Sequence, residues 1–417
     1  HIARFTQQTR TMTDQTTILK QRVQEYIDEM ADQLIHISLT LHANPELAFE
    51  EYQSMALLAD TAAQHGYAVE RGVAGLETSF VATSVGEDPG PTVAFVAEYD
   101  ALPGIGHACG HNIIGTAALG AGLAIQAIRR DLPGTVKVIG TPAEERGGGK
   151  VIMVERGIFE GIDAAMMVHP GAKAMTTRGT LASNKLRFEF FGKSAHAAAA
   201  PDLGINALDA CIHTFVNINA LRQHVTPDVR IHGIITHGGE APNIVPAYAA
   251  AEFSVRAASS EASFAVADKV ARCAEAGALA AGAEVKIHHT THYANRLANP
   301  TMARLFEENI TPLGENVQVP APGERMGSSD MGNVSQIVPA IHPYVTIVDP
   351  GTGGHTPEFA AAAASERGHQ ALIRSAKAMA MTAVDLLTQP ALMAQTKAEF
   401  EAMIDRNAEW RKRRFFS

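Results

Sequence analysis

Cysteine is scarce in these 417 residues. The three present, Cys109, Cys211 and Cys273, are too few and too far apart for a disulfide framework. A small disulfide-stapled fold is excluded, and a reducing, cytoplasmic setting is expected. Long apolar runs are missing as well: none approaches the roughly 20 residues of a membrane-spanning helix. The start carries no charged-then-apolar-then-small signal pattern, so no membrane partner is expected. Nor is there a surplus of positive charge. The net charge is −10, and basic residues are scattered until Arg411-Lys412-Arg413-Arg414, which argues against a nucleic-acid partner and reads as a solvated helix end. Internal repeats are absent, and alanine enrichment is the only compositional bias. His1–Thr11, ahead of Met12-Thr13-Asp14, reads as a segment preceding a natural initiator and is set aside.

What is present points to an enzyme-sized α/β chain. At 46% hydrophobic and 19% charged, 417 residues exceed one ordinary core, so two domains are expected. Val23, Ile27, Met30, Leu34, Ile37 and Leu41 recur at helical spacing, and Asn44-Pro45 ends that pattern. Residues 92–97, 135–140 and 164–168 read as buried strands, the last leading into His169. Helices are predicted over 115–128 and 149–156 between them. Strand, polar loop and helix in repetition imply a doubly wound sheet, whose ligands gather beyond the carboxyl ends of its strands. Near Ser183 the pattern changes to strands at 186–192, 230–235, 249–257 and 284–291, with helices at 206–221 and 260–280. That is a βαββαβ block. The chain is therefore expected to be α/β, with a metal-binding catalytic domain (12–183 and 297–417) interrupted by a lid or dimerisation domain (184–296).

The chemistry concentrates at the predicted strand ends. Asp100, Cys109, His111, Glu144, Glu145 and His169 all fall there. Cys109 and His111 can face one ion if the loop turns at Gly110. Two adjacent carboxylates after a buried strand repel unless a cation or proton separates them, so Glu144-Glu145 fits a metal site better than a solvated loop. His169 alone reads equally as a core histidine, and the glycines before His355 could serve only to turn the chain. Together these residues fill the inventory of a metal site that activates water for hydrolysis.

These residues stand within a longer run of motifs: Pro45-Glu46-Leu47 with Glu50-Glu51, Asp100-Ala101-Leu102-Pro103, His107-Ala108-Cys109-Gly110-His111 and Pro142-Ala143-Glu144-Glu145. Gly192-Lys193-Ser194-Ala195-His196-Ala197, Asn243-Ile244-Val245-Pro246 and Gly354-His355-Thr356-Pro357 follow. In that order they resemble the aminoacylase-like metal-dependent peptidases and amidohydrolases. Within them, Glu98–Gly104 and Cys109–Asn112 are similar to the branch of p-aminobenzoyl-glutamate hydrolase and β-alanyl-lysine dipeptidase. The resemblance implies Cys109, His111, Glu145, His169 and His355 as ligands of one or two divalent ions, Mn2+ or Zn2+. It further implies Glu144 as general acid/base, Asp100 as a carboxylate orienting a ligand, and His196 as an oxyanion-stabilising group reaching across a dimer. Asn243 and Arg256 are implied as holders of a substrate carboxylate. Asn112 departs from the aspartate, and Ile114 from the histidine, that many relatives carry, which leaves the ion count open.

The resemblance thus implies a homodimer or higher homo-oligomer that hydrolyses an amide C–N bond of an N-acyl amino acid or dipeptide-like carboxylate. Two alternatives stand beside that reading: hydrolytic deamination of an aromatic amino acid such as an aminobenzoate or nitroanthranilate on the same metal site, and a catalytically silent partner subunit.

Overall fold

The computed structural model describes residues 2–406 and 408–413. Its strands, in chain order, are β1 (Ala68–Arg71), β2 (Phe80–Val85), β3 (Thr92–Ala97), β4 (Thr135–Gly140), β5 (Ala164–Met166) and β6 (His169–Gly171). They continue with β7 (Ala182–Phe191), β8 (Arg230–His237), β9 (Tyr248–Ala257), β10 (Glu284–Tyr293), β11 (Ala340–Ile341) and β12 (Tyr344–Thr346). The chain divides into two compact units. The first takes residues up to 179, 297–326 and 333–404; the second takes 180–296, 327–332 and the described residues from 405 onward.

In the first unit, the apolar runs read as buried strands form β3, β4 and β5, the first two with the predicted bounds. The sheet order is β1-β2-β4-β3-β5-β11, parallel from β4 to β11 and antiparallel at β1 and β2. The antiparallel edge was not anticipated. After β3 the chain crosses to β4 on one side, then to β5 on the other, so the carboxyl end of β3 is a switch point where a cleft opens. The helix His111–Ala127, buried nearly throughout, packs on β3 and β4 and beneath the helix Glu366–Thr388. A side chain at Gly115 would meet Glu98 O at 2.5 Å, and its hydrogen lets helix and strand touch.

Three expectations need correction. The periodic stretch through Leu41 is two helices, Ile2–Glu29 and Ala31–Ala43, broken at Met30, so one helix also runs through much of the segment set aside. The helix expected from Gly115 begins at His111, which places that imidazole in its first turn. His169 does not simply end a strand: it opens β6, paired in parallel with β12.

The second unit is a four-stranded antiparallel sheet, β10-β7-β9-β8, with the helices Ala207–Leu221 and Ser260–Ala281 on one face. Alternation explains it. Leu186, Phe188 and Phe190 of β7 point into the core, while Lys185, Arg187 and Glu189 point away. Asn206 and Ser259 cap the two helices by accepting from Leu208 N and Asp209 N and from Ala262 N. The terminal basic run does not behave as a free solvated end: Arg413 forms a two-pronged ion pair with Asp268 and lies over the Phe264 ring. Arg414 lies outside the described residues. Among the described residues no helix is long and apolar enough to cross a membrane.

Candidate metal centre

The carboxyl ends of β3, β4 and β5 deliver Glu98 to Asp100, Thr141 to Glu145, and His169. Hydrogen bonds then fix each candidate ligand. His111 donates from Nδ1 to Asp100 O at 2.8 Å and Oδ1 at 2.9 Å, which leaves Nε2 as the lone-pair nitrogen. His169 donates from Nδ1 to Pro170 O at 2.6 Å, so its Nε2 faces Cys109 Sγ at 3.4 Å. Glu145 is held through its backbone, N–H to Asp100 Oδ2 at 3.0 Å, and its Oε1 stands 3.3 Å from His355 Nε2 and 3.8 Å from His111 Nε2. Asp100 thus orients one candidate ligand by its side chain and another by its backbone.

Candidate donor atoms lie within 4.8 Å of one another in three overlapping groups: Cys109 with His111 and His169, Cys109 with Glu145 and His355, and His111 with Glu144 and Glu145. The first two share Cys109. His111 Nε2 is buried and has no hydrogen-bond partner, a cost that an ion would remove. Imidazole, thiol and carboxylate suit Zn2+, and the carboxylates also suit Mn2+, so the residues fit a divalent metal.

Charge and backbone strain mark the same place. Burial pushes the Cys109 thiol up, reinforced by Glu145, so an ion must draw the thiolate out. For Asp100, burial works upward, but the His111 contact outweighs it and holds the carboxyl down. For His111, burial works downward, and Asp100 reverses it to hold the imidazolium well above the ordinary range. The His355 imidazole is raised chiefly by Glu145. Ala143 and His355 have φ of 61° and 63°, a left-handed conformation that non-glycine residues adopt at a cost of roughly 1–3 kcal/mol. Both adjoin or belong to the ligand cluster.

Sequence reasoning missed some of the surroundings. Lys150, in the first turn of the helix Gly149–Glu155, is fully buried and pairs with Glu98 at 2.5 Å; Glu98 Oε2 is 3.5 Å from His111 Nε2. A charged residue behind three glycines and an acid closing an apolar strand were the available signals. Glu51, quoted only as part of a motif, is buried, and burial together with Asp100 raises its carboxyl to about 7. Asn112 points into the helix packing: its amide donates to Ser38 Oγ at 2.9 Å and Ala363 O at 3.1 Å. An aspartate could not donate to that carbonyl. Ile114 is core.

His196, Asn243 and Arg256 belong to the second unit. His196 is exposed; its Nδ1 accepts from Ala198 N at 3.3 Å and Ala199 N at 3.1 Å, leaving Nε2 to carry the proton. Ala197 N donates to Asn243 O at 3.0 Å, so His196 and Asn243 share one loop cluster beyond the Tyr248 end of β9. Arg256 sits near the other end of that strand, opposite Ser183 and Arg230, roughly 27 Å away by strand rise. Within one unit the structure does not bring Arg256 to the other two.

Comparison with known proteins agrees with this architecture. Residues 94–398 match the model of peptidase family M20/M25/M40. The chain is 39% identical over 407 residues to the Xaa-Arg dipeptidase of Mus musculus, covering 93% of each. It is 29% identical to one of the chains of the p-aminobenzoyl-glutamate hydrolase of Escherichia coli, covering 87% of this chain and 90% of that one. A dinuclear metal-binding M20 peptidase from Bacillus subtilis superposes with TM-score 0.65 at 22% identity, over 86% of this chain and 99% of that one. With its α/β sheet, its separate antiparallel lid and its donor cluster at the switch point, the chain belongs to peptidase family M20/M25/M40, hydrolases of C–N bonds.

Proposed function

We propose that the chain cleaves the amide bond of a dipeptide-like or N-acyl amino acid substrate carrying a free carboxylate, with Glu144 as general acid and base. The observation that carries this reading is the place of Glu144. It is largely buried, directly precedes the ligand candidate Glu145, and offers an oxygen in the same 4.8 Å group as His111 and Glu145. Cys109, His111, Glu145, His169 and His355 would hold one or two divalent ions, with Cys109 placed to touch both. Such an ion supplies Lewis acidity and lowers the pKa of water towards about 7. Glu144 then takes the proton of the attacking water and returns it to the leaving nitrogen.

The names of the relatives favour a dipeptide or an acyl-glutamate over an aromatic amine. Each describes an amide joined to an amino acid, and the dipeptidase matches at 39% identity over nearly the full length. The presence of Glu144 with all five ligand candidates speaks for turnover rather than a silent subunit.

The second unit supports a homodimer. A substrate touched by both Arg256 and the His196–Asn243 cluster needs two copies of the chain, because one copy separates them along β9. In that arrangement His196 donates from Nε2 to the oxyanion, and Asn243 and Arg256 hold the carboxylate.

A panel of Xaa-Arg and β-alanyl dipeptides, acyl-glutamates and aminobenzoates, assayed by mass spectrometry with Mn2+ or Zn2+ restored, tests the substrate class. Glu144→Gln is expected to lower turnover by about 10³-fold with metal content unchanged. An active Glu144→Gln would sink the mechanism.

A further inference from the structure

Glu144 lies between two backbone amides, and each is tied to a buried carboxylate. Glu145 N–H donates to Asp100 Oδ2 at 3.0 Å; Ala143 N–H donates to Glu51 Oε1 at 2.9 Å. Asp100 has a further task, since it also orients His111. Glu51 is assigned no task by the metal chemistry.

Its surroundings show that it is held for this contact. Glu51 is fully buried, and its second oxygen accepts the Thr78 hydroxyl at 2.8 Å. Thr78 is itself fixed, because its carbonyl accepts the Tyr99 hydroxyl at 2.6 Å. Glu51 also occupies the N-cap position of the helix Tyr52–Gln64 and could have served that helix. Its side chain makes no cap bond; Glu46 instead accepts from Gln53 N at 3.0 Å and Ser54 N at 2.8 Å. The carboxylate that should cap its own helix is turned inward to a residue 92 positions away.

The recipient needs such an anchor. Ala143 has a φ of 61°, a conformation an alanine keeps only when its surroundings over-determine it. If the turn relaxes, the next side chain, Glu144, swings. We infer that Glu51 is a positioning residue for the reaction: it fixes the Ala143–Glu145 turn from one side as Asp100 does from the other, and so aims the Glu144 carboxylate at the water and leaving nitrogen. This rests on the reading of Glu144 as the acid/base.

Three variants test it, with Glu144→Gln as reference. Glu51→Ala frees the Ala143 amide, and a base displaced by about 1 Å loses on the order of 100-fold in kcat. KM and bound Zn2+ are expected to stay within about twofold, since the ligands and carboxylate-holding groups are untouched. Glu51→Gln keeps an acceptor oxygen towards Ala143 and is expected to recover kcat to within about tenfold of the parent. Thr78→Val, a milder change that loosens only the second oxygen, is expected to fall between them, and it reads the same chain of bonds if Glu51→Ala does not fold.

Full kcat in Glu51→Ala or in Thr78→Val overturns the inference. So does a parallel fall of kcat, zinc content and melting temperature with no recovery in Glu51→Gln, which would mark Glu51 as packing alone. If Glu144→Gln keeps its activity, the acid/base reading has failed instead, whatever Glu51 does.

Discussion

Two histidine–carboxylate contacts in this molecule have the same length. His111 meets Asp100 at 2.9 Å in the first unit, and His288 meets Glu189 at 2.9 Å in the second. The first pair is sealed, with side chains 1% and 0% exposed; the second lies on the open sheet face at 46% and 22%. Water decides what the shared distance is worth. At the ends of the parallel strands, burial makes each unpaired charge costly, so the contacts there set protonation, tautomer and ligand geometry. On the antiparallel sheet the same contact is screened, and it contributes little beyond local order.

The largest effect should come from breaking the sealed pair. His111→Ala removes a candidate ligand and leaves Asp100 buried without its imidazole, and loss of one partner of a buried pair costs about 3–5 kcal/mol. Metal content by mass spectrometry should fall, and turnover with it. Protons compete for the same atoms. The His111 imidazolium is held above its ordinary range and the Cys109 thiol is raised, so an ion displaces protons at both, and its affinity should rise with pH above about 6.5. In the metal-free protein the sign is opposite for His111. Its contribution to stability is complete below about pH 6.5 and declines as pH rises through the folded value. Titration calorimetry of Zn2+ at pH 6 and 8 checks the first, and melting of the metal-free protein the second; a pH-independent affinity would remove His111 and Cys109 from the ligand set.

How much of this was legible in the sequence follows from burial too. β3 and β4 were readable to the residue because a continuous apolar run between turn signals has few other uses. The βαββαβ block was readable because its helices and most of its strands carry clear periodicities. β1, four mostly exposed residues at a sheet edge, has neither signal. Cys109, His111, Glu144, Glu145, His169 and His355 could be listed as candidates, but their convergence depends on which strand ends adjoin. Glu51 and Lys150 were invisible for a different reason. A single charged residue defaults to the surface, and their partners lie 92 and 52 positions away, separations that carry no local pattern.

The comparison sharpens at the edge of the second unit. Ile234 and Ile235 of β8 are 65% and 43% exposed, and Ile212 and Val216 of the adjoining helix are 45% and 57% exposed. Unpaired edge backbone beside apolar surface fits a second copy of the chain. If the open unit contributes to turnover only through a dimer, His196→Ala and Ile234→Glu should act alike. Each is expected to lower kcat by about 10²-fold with the metal site of the first unit intact. Ile234→Glu should also sediment as a monomer. A fully active monomer would show that the second unit takes no part across an interface.

The smallest effect is expected where the 2.9 Å distance is most deceptive. His288→Ala removes the exposed contact to Glu189, but the Tyr248 hydroxyl still reaches that carboxylate at 2.7 Å and Arg187 lies 3.4 Å from it. The loss should stay below about 0.5 kcal/mol, fade further in roughly 0.5 M salt, and leave metal content unchanged. Chemical denaturation of parent and variant at two ionic strengths measures it. A cost near that of His111→Ala would mean that contact geometry, rather than exclusion of water, sets the strength of both pairs.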